Sequence, residues 1–461
     1  MGAQVNTLFA RHALLADGWR RDVLLAWDAQ GDLLRVEPDA APVDGAAQAD
    51  YVLPGMVNLH SHAFQRAMGG LTERAGAASS GASDSFWTWR ELMYRFAARI
   101  TPEQMEAVAA QLYVECLRHG YTAVCEFHYL QRDPAGECYA DPAETARRIA
   151  AAARASGIGL TLLPVLYAYA GFGAAPLTPA QRRFRSDPAQ VLRIVEALAP
   201  LRGPQLEIGA APHSLRAVSL GQLRELAQAL PLARPLHIHV AEQEAEVRQC
   251  LDATGRRPVE LLFDEAGIDA RWCLVHATHL AEHEIVGLAR SGAVAGLCPS
   301  TEANLGDGLF PLAPYLAAGG GLGIGSDSHV SQSPVEELRW LEYGQRLAGR
   351  RRNVAVDEGQ RDVAAFLWQG ALRGGAQAAG RRLGVLEAGR RADLLVLDGD
   401  HPNLDGAAPE DVLGRFLFCG NDNLVRDVLV GGRWVVRGGR HPDQDAIAAR
   451  YKAALHQLRE A

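Results

Sequence analysis

Eight short apolar runs, each closing on polar residues and separated by stretches of helical periodicity, constrain this chain more than any other feature. The runs are 55–63 (GMVNLHSHA), 122–129 (TAVCEFHY), 159–168 (GLTLLPVLYA), 206–215 (LEIGAAPHSL), 235–242 (PLHIHVAE), 272–279 (WCLVHATH), 293–300 (AVAGLCPS) and 321–329 (GLGIGSDSH). Intervening segments such as 102–120 (PEQMEAVAAQLYVECLRHG) repeat apolar residues at helical spacing, so the middle of the chain reads as β/α units. Eight such units in roughly 270 residues is the size of a closed (β/α)8 barrel, whose active site is built where the polar residues fall, at the C-terminal strand ends. An open doubly wound sheet could carry the same strands but would spread those polar ends along one edge. The expected fold is therefore α/β, a TIM-like (β/α)8 barrel over residues 54–383. Residues 1–53 and 384–440 carry short strand patterns around Gly and Pro turns (DVLLAWDAQGDLLRVEP, ADLLVLDGD, VRDVLVGGRWVVRGGR), which predicts one small β-sandwich domain built from both chain ends. Residues 441–461 read as a helical tail.

Composition narrows the function classes. With 461 residues, 48% hydrophobic and 22% charged, the chain can bury a large core, and disorder is excluded. Its formal charge of −8 has the wrong sign for a broad nucleic-acid surface. No stretch approaches ~20 consecutive apolar residues, the N-terminal residues lack a signal-peptide layout, and Asn6 does not suit a myristoylation site, so no membrane association is expected. Seven cysteines without a C-x-x-C argue against a disulfide framework or a cysteine zinc site and for a reducing, cytoplasmic setting.

The chemistry lies at the strand ends. His60 and His62 sit two apart in a strand, so both side chains leave on one face and can reach one ion. Alone, such a pair would be incidental histidines on a half-exposed strand. Three further ends add His237, His239 and Glu242, then His276 and His279, then Asp327 and His329. Imidazoles and a carboxylate meeting at a barrel mouth suit a divalent ion, zinc or iron, with one position open for water. Spacing leaves open which histidines are ligands, and His119, His128, His279 and His283 read as loop or solvent-facing residues. The only lysine is Lys452, so no carboxylated lysine can bridge two ions, and a mononuclear site follows. Glu242 and Asp327 are placed to share the proton transfers that such a site needs. A second constellation is cationic: Arg90 beside Trp87 and Trp89, and Arg216 near His213. Singly these arginines would be ordinary surface ion-pair partners, but together at a barrel mouth they suggest an anionic small substrate.

LPGMVNLHSHAFQRAM, HIHVAEQ, LVHATH and GIGSDSH together resemble the amidohydrolase superfamily in its mononuclear, deaminase-like branch. SFWTWRELMYR, GYTAVCEFHYL, LTLLPVLYAYAGFG, HSLRAV and LCPSTEANLGDG extend the resemblance, over essentially the whole chain, to the formimidoylglutamate deiminases of bacterial histidine degradation. That resemblance implies one divalent ion, zinc with iron(II) as the alternative, on His60, His62, His239 and Asp327. It further implies Glu242 as acid/base, and His276 and Asp327 as groups stabilising the attacking oxygen. Gln65, Arg90, Tyr129, His213 and Arg216 are the implied substrate-binding residues. The implied reaction is hydrolysis of N-formimino-L-glutamate to N-formyl-L-glutamate and ammonia by a homodimer. The stretch 74–85 looks longer and richer in Gly, Ala and Ser than that family's pattern. Rival readings are a sister deaminase of a purine or pyrimidine base, which would share the metal residues but need no paired arginines, and a metal-free barrel scaffold. A carbohydrate- or peptide-binding role for the β domain has only a hairpin with a packed tryptophan to support it.

Overall fold

Residues 6–73 and 86–460 are described by the structure, a computed structural model; the 74–85 stretch lies outside the described residues. β1 (Asn6–Leu15) and β2 (Gly18–Trp27) run antiparallel in register from Asn6↔Trp27 to Leu15↔Gly18. β3 (Leu33–Glu37) continues this sheet on β2, and β4 (Ala47–Pro54) lies parallel to β1. Only Gly55 separates β4 from β5 (Met56–Ser61), the first barrel strand. The parallel strands that follow are β6 (Tyr121–His128), β7 (Gly159–Leu166), β8 (Leu206–Ile208) with β9 (Ala211–Pro212), β10 (Leu236–Val240), β11 (Trp272–His276), β12 (Val294–Leu297) and β13 (Gly321–Ile324). The chain then returns to the first sheet as β14 (Leu394–Leu397), β15 (Val425–Val430) and β16 (Arg433–Val436).

The β-sandwich expectation resolves into one hydrogen-bonded sheet of seven strands, ordered β16-β15-β14-β4-β1-β2-β3. β14 pairs antiparallel with β4, so the two chain ends interleave at its centre. Leu8, Val23, Leu25, Trp27, Leu394 and Leu429 share the buried apolar cluster of this sheet, drawing on both ends of the sequence. The final helix, Gln444–Glu460, packs against helix Pro102–His119.

In the barrel, β5 to β8 form one parallel run and β10 to β13 another. Isolated parallel bridges join them: Ala210↔Leu236 and Ser214↔His239 on one side, Ser61↔Asp327 on the other. With β8 and β9 counted as one interrupted strand, the eight positions coincide with the eight apolar runs of the sequence. Most of these strands are buried along their whole length, as a parallel barrel wrapped in helices requires. The helix Pro102–His119 shows how the units are punctuated. Thr101 and Gln104 form a capping box, Pro102 occupies the first turn, and Gly120 ends the helix at φ 107° before β6 begins.

Two backbone features position the site. A Cβ on Gly325 would stand 2.7 Å from the His60 nitrogen and 2.8 Å from its Cβ, so the lack of a side chain lets the last strand end abut the first. His276 (φ 67°) and Asp327 (φ 44°) hold left-handed backbone conformations just where β11 and β13 end, strain of the kind that surrounding structure stabilises at functional sites.

Candidate metal centre and active site

Three strand ends deliver four donor atoms to one point. His60 and His62 arrive from β5, His239 from β10 and Asp327 from beyond β13, all buried, with ligand atoms within 4.8 Å of one another. His60 Nε2 lies 3.1 Å from His62 Nε2 and 2.9 Å from His239 Nε2. Asp327 Oδ1 is 3.4 Å from His60 Nε2 and 3.3 Å from His62 Nε2. The His62 Nδ1–H donates to the Phe127 carbonyl at 3.0 Å and the His239 Nδ1–H to the His213 carbonyl at 3.1 Å, which leaves each Nε2 a bare lone pair. Burial drives all three imidazoles below their ordinary pKa, that of His62 to about 3, so they are neutral. Converging lone pairs at such distances repel unless a cation stands among them. Ligands bonded tetrahedrally at ~2.0–2.1 Å lie roughly 3.3 Å apart, close to the separations found, so the residues fit a divalent ion.

The acid/base candidates adjoin this centre. Glu242 is 5% exposed, with Oε1 3.7 Å from His276 Nε2 and Oε2 3.9 Å from Arg216 Nη2. Burial raises its carboxyl, against the pull of His276 and Arg216. Burial alone would lower His276, but the charges of Glu242, Glu302 and Asp327 outweigh it and lift His276 to about 10. His276 Nδ1 lies 3.2 Å from Glu302 Oε1 and its Nε2 3.8 Å from Asp327 Oδ2.

Gln65, Arg90, Tyr129, His213 and Arg216 line the same cavity as His62, His239, Glu242, His276 and Asp327. Gln65 Nε2 donates to the Tyr129 hydroxyl at 2.9 Å, while Gln65 Oε1 has no hydrogen-bond partner. The Arg90 guanidinium carbon sits 5.5 Å from the centre of the Tyr94 ring. Arg216 is 7% exposed and forms no close bond: its Nε stands 3.7 Å from Glu246 and has no hydrogen-bond partner. A buried guanidinium whose Nε makes no hydrogen bond retains a donor that an anion could use.

The remaining histidines of the sequence motifs lie elsewhere. His237 Nε2 bonds the Ala378 carbonyl at 2.8 Å, and His329 sits between Ser61 and Ser326 hydroxyls. His128 meets Thr145, His119 the Glu115 carbonyl, His279 the Asp307 carbonyl, and His283 pairs with Glu260. Sequence reasoning missed two buried acids. Glu302 contacts His276, and Asp307 accepts a hydrogen bond from Gln243, the neighbour of Glu242, while its Oδ2 has no partner. Burial, then the charge of Glu242, pushes the Asp307 carboxyl well up. Both lie in STEANLGDG after β12, a stretch with no periodicity to flag them. Tyr94, Tyr167 and Phe184 also line the cavity; the first two lie in the stretches SFWTWRELMYR and LTLLPVLYAYAGFG, which had suggested no site role for them.

Comparison with known proteins gives a consistent result. The sequence pattern of the amidohydrolase family matches residues 51–435, and that of the formimidoylglutamate deiminase HutF N-terminal domain matches residues 5–48. A formimidoylglutamate deiminase of Pseudomonas aeruginosa is 54% identical over 456 residues, covering 98% of this chain and all of that one. An 8-oxoguanine deaminase of the same organism is 29% identical, covering 92% of this chain and 90% of the other. The crystal structure of an amidohydrolase from Brucella melitensis superposes with a TM-score of 0.92 at 45% identity, covering 98% of this chain and 99% of the other. A zinc-bound adenosine deaminase from Xanthomonas campestris shares the fold, with a TM-score of 0.80 at 22% identity, covering 99% and 98%.

Proposed function

The chain belongs to the amidohydrolase family and, within it, to the formimidoylglutamate deiminases, and on that premise we propose that it hydrolyses N-formimino-L-glutamate to N-formyl-L-glutamate and ammonia. The observation that carries this reading is Arg216, a buried guanidinium whose Nε has no hydrogen-bond partner, in the cavity that also holds Glu242 and the metal donors. A dicarboxylate satisfies it. A neutral purine or pyrimidine carries no carboxylate to accept a charge-assisted hydrogen bond from the guanidinium, which has only the longer ion pairs to Glu246 and Glu242.

His60, His62, His239 and Asp327 would hold the ion, zinc in this reading with iron(II) the alternative, which would supply a polarised water with its pKa lowered toward ~7. Glu242 takes a proton from the attacking water and hands it to the amidine nitrogen that will leave. The oxygen adds to the formimino carbon between Asp327 and His276, whose imidazolium, raised by its carboxylate neighbours, stabilises the negative charge that develops. Glu302 holds His276 from the far ring nitrogen and so fixes the direction of its Nε2. The remaining hydroxyl proton then passes to Asp327 and is relayed through Glu242 to the amine nitrogen, so that the C–N bond breaks and ammonia departs as the formyl carbonyl forms. Arg90, Arg216, His213, Tyr129 and Gln65 hold the glutamate portion, with the arginines taking its carboxylates.

The direct test is ammonia release from N-formimino-L-glutamate by metal-loaded and metal-stripped protein, with adenosine, guanine and cytosine alongside. Metal-dependent turnover of the formimino compound alone is expected, and turnover of a base instead would overturn the assignment of Arg90 and Arg216. A homodimer in the cytoplasm completes the reading. Trp340 (45% exposed), Tyr343 and Leu347 (77%) stand out from the helix Pro334–Gly349 as an apolar stripe that a second copy would cover, and among the described residues no helix is long and apolar enough to cross a membrane. Light scattering should give twice the 49.6 kDa chain mass; a monomer at micromolar concentration would remove this part.

A further inference from the structure

A second set of metal-binding side chains lies beside the first. His276 closes β11, Cys298 follows β12 and Asp327 follows β13, so three successive strands contribute one donor each. Their nitrogen, sulfur and oxygen atoms lie within 4.8 Å of one another, and all three residues are buried. Asp327 belongs to both sets. Its Oδ1 faces His60 and His62 at 3.4 and 3.3 Å, while its Oδ2 faces His276 Nε2 at 3.8 Å. A carboxylate that turns one oxygen to each of two donor clusters has the layout of a bridging ligand. Cys298 is a free thiol whose sulfur forms no hydrogen bond among the described residues.

We propose that His276, Cys298 and Asp327 form a second site for a soft divalent ion, Cd2+ or excess Zn2+, whose occupation silences the enzyme. The donor set decides the class of ion: thiolate with imidazole favours Zn2+ and Cd2+, whereas Mg2+, Ca2+ and Mn2+ prefer oxygen ligands. On binding, the ion displaces the thiol proton of Cys298 and any proton on His276 Nε2 to solvent, and no oxidant or reductant is required. The first site fills first, because it offers three neutral imidazoles and a carboxylate, and the second ion enters beside a positive charge. Inhibition follows because the second ion occupies His276 Nε2 and Asp327 Oδ2, the atoms that flank the attacking oxygen. This inhibitory half rests on the proposed reaction, whereas the binding half does not.

The experiment is a Cd2+ titration of protein carrying one equivalent of its first metal, reading the ultraviolet thiolate-to-cadmium absorption and turnover of N-formimino-L-glutamate in parallel. C298S and C298A are run beside the wild type, with circular dichroism and metal content as checks that each variant is folded and loaded. Wild type should gain one absorption increment that neither variant shows, lose activity over the same concentrations and recover when a chelator removes the added ion. The variants should keep their first metal and withstand at least tenfold more Cd2+. Equal increments in wild type and variants, or variants silenced at the wild-type concentration, overturn the proposal. If no formimino turnover is found, a Cys298-dependent increment still supports the site, and the failure then belongs to the substrate assignment.

Discussion

Arg216 and Glu242 face each other at 3.9 Å across the site, yet they should fail differently when changed. Arg216→Ala removes a charge-assisted pair with substrate, a loss of a few kcal/mol, so KM should rise by about a hundredfold or more. Arg216→Lys keeps the charge without the planar fork and should recover only part of that loss. Glu242→Gln keeps shape and polarity but cannot move a proton, so kcat should fall by ~10²–10⁴ with KM and metal content nearly unchanged. Steady-state kinetics with metal analysis separates the two, and unchanged KM in Arg216→Ala would remove its carboxylate role. At this scale the sequence identified residue types well but not their depth. His237 and His239 obey the same alternation, yet two residues along a strand is ~6.6 Å, and only His239 reaches the end where the donors converge. Glu302 and Asp307 were invisible because their importance depends on where His276 and Gln243 arrive in space, which no local pattern encodes.

Among the elements, the junction of first and last barrel strands is the most sensitive. Gly325→Ala would push a methyl to within 2.8 Å of the His60 Cβ and 2.7 Å of its nitrogen, so His60 and Asp327 must move apart. Overpacking of this kind costs ~1–3 kcal/mol, and its geometric effect falls on the metal donors. The variant should unfold at lower temperature and retain less metal after dialysis than wild type, and wild-type metal content would show that the strand end can shift freely. Barrel strands were legible in the sequence because buried parallel strands read as apolar runs and their polar ends mark the mouth. The run 206–215 also shows the limit of that reading. It contains two strand pieces, β8 and β9, broken at Gly209, where a Cβ would lie 2.3 Å from the Pro235 carbonyl oxygen. Close backbone approach of that sort leaves only a glycine in the sequence, and glycines have many causes. The order of the seven-stranded sheet was likewise hidden, since turn signals predict neighbours in sequence and β4 pairs with β14.

The molecule as a whole carries an acid sensitivity to which buried histidines beyond the metal donors contribute. His128 and His329 are lowered to about 3 and His237 to about 4, in each case chiefly by burial. Each is neutral in the fold and free to charge in the unfolded chain at ~6.5. Between pH 6.5 and 4 the unfolded state therefore binds the extra protons, and stability falls as pH falls by about 1.4 kcal/mol per unit for each histidine. Thermal unfolding of metal-free protein should show a steep loss across that window, and His128→Gln should flatten it. A transition temperature independent of pH from 6.5 to 4 would contradict the buried neutral state. The interleaved sheet has a different consequence, in time rather than in energy. β4 ends at Pro54 and its neighbour β14 begins at Leu394, so on a ribosome adding ~5–20 residues per second the edge of β4 waits on the order of tens of seconds for its partner. Because β4 leads through Gly55 straight into the strand bearing His60 and His62, the segment that anchors the first metal donors is among the earliest synthesised and the last to be secured.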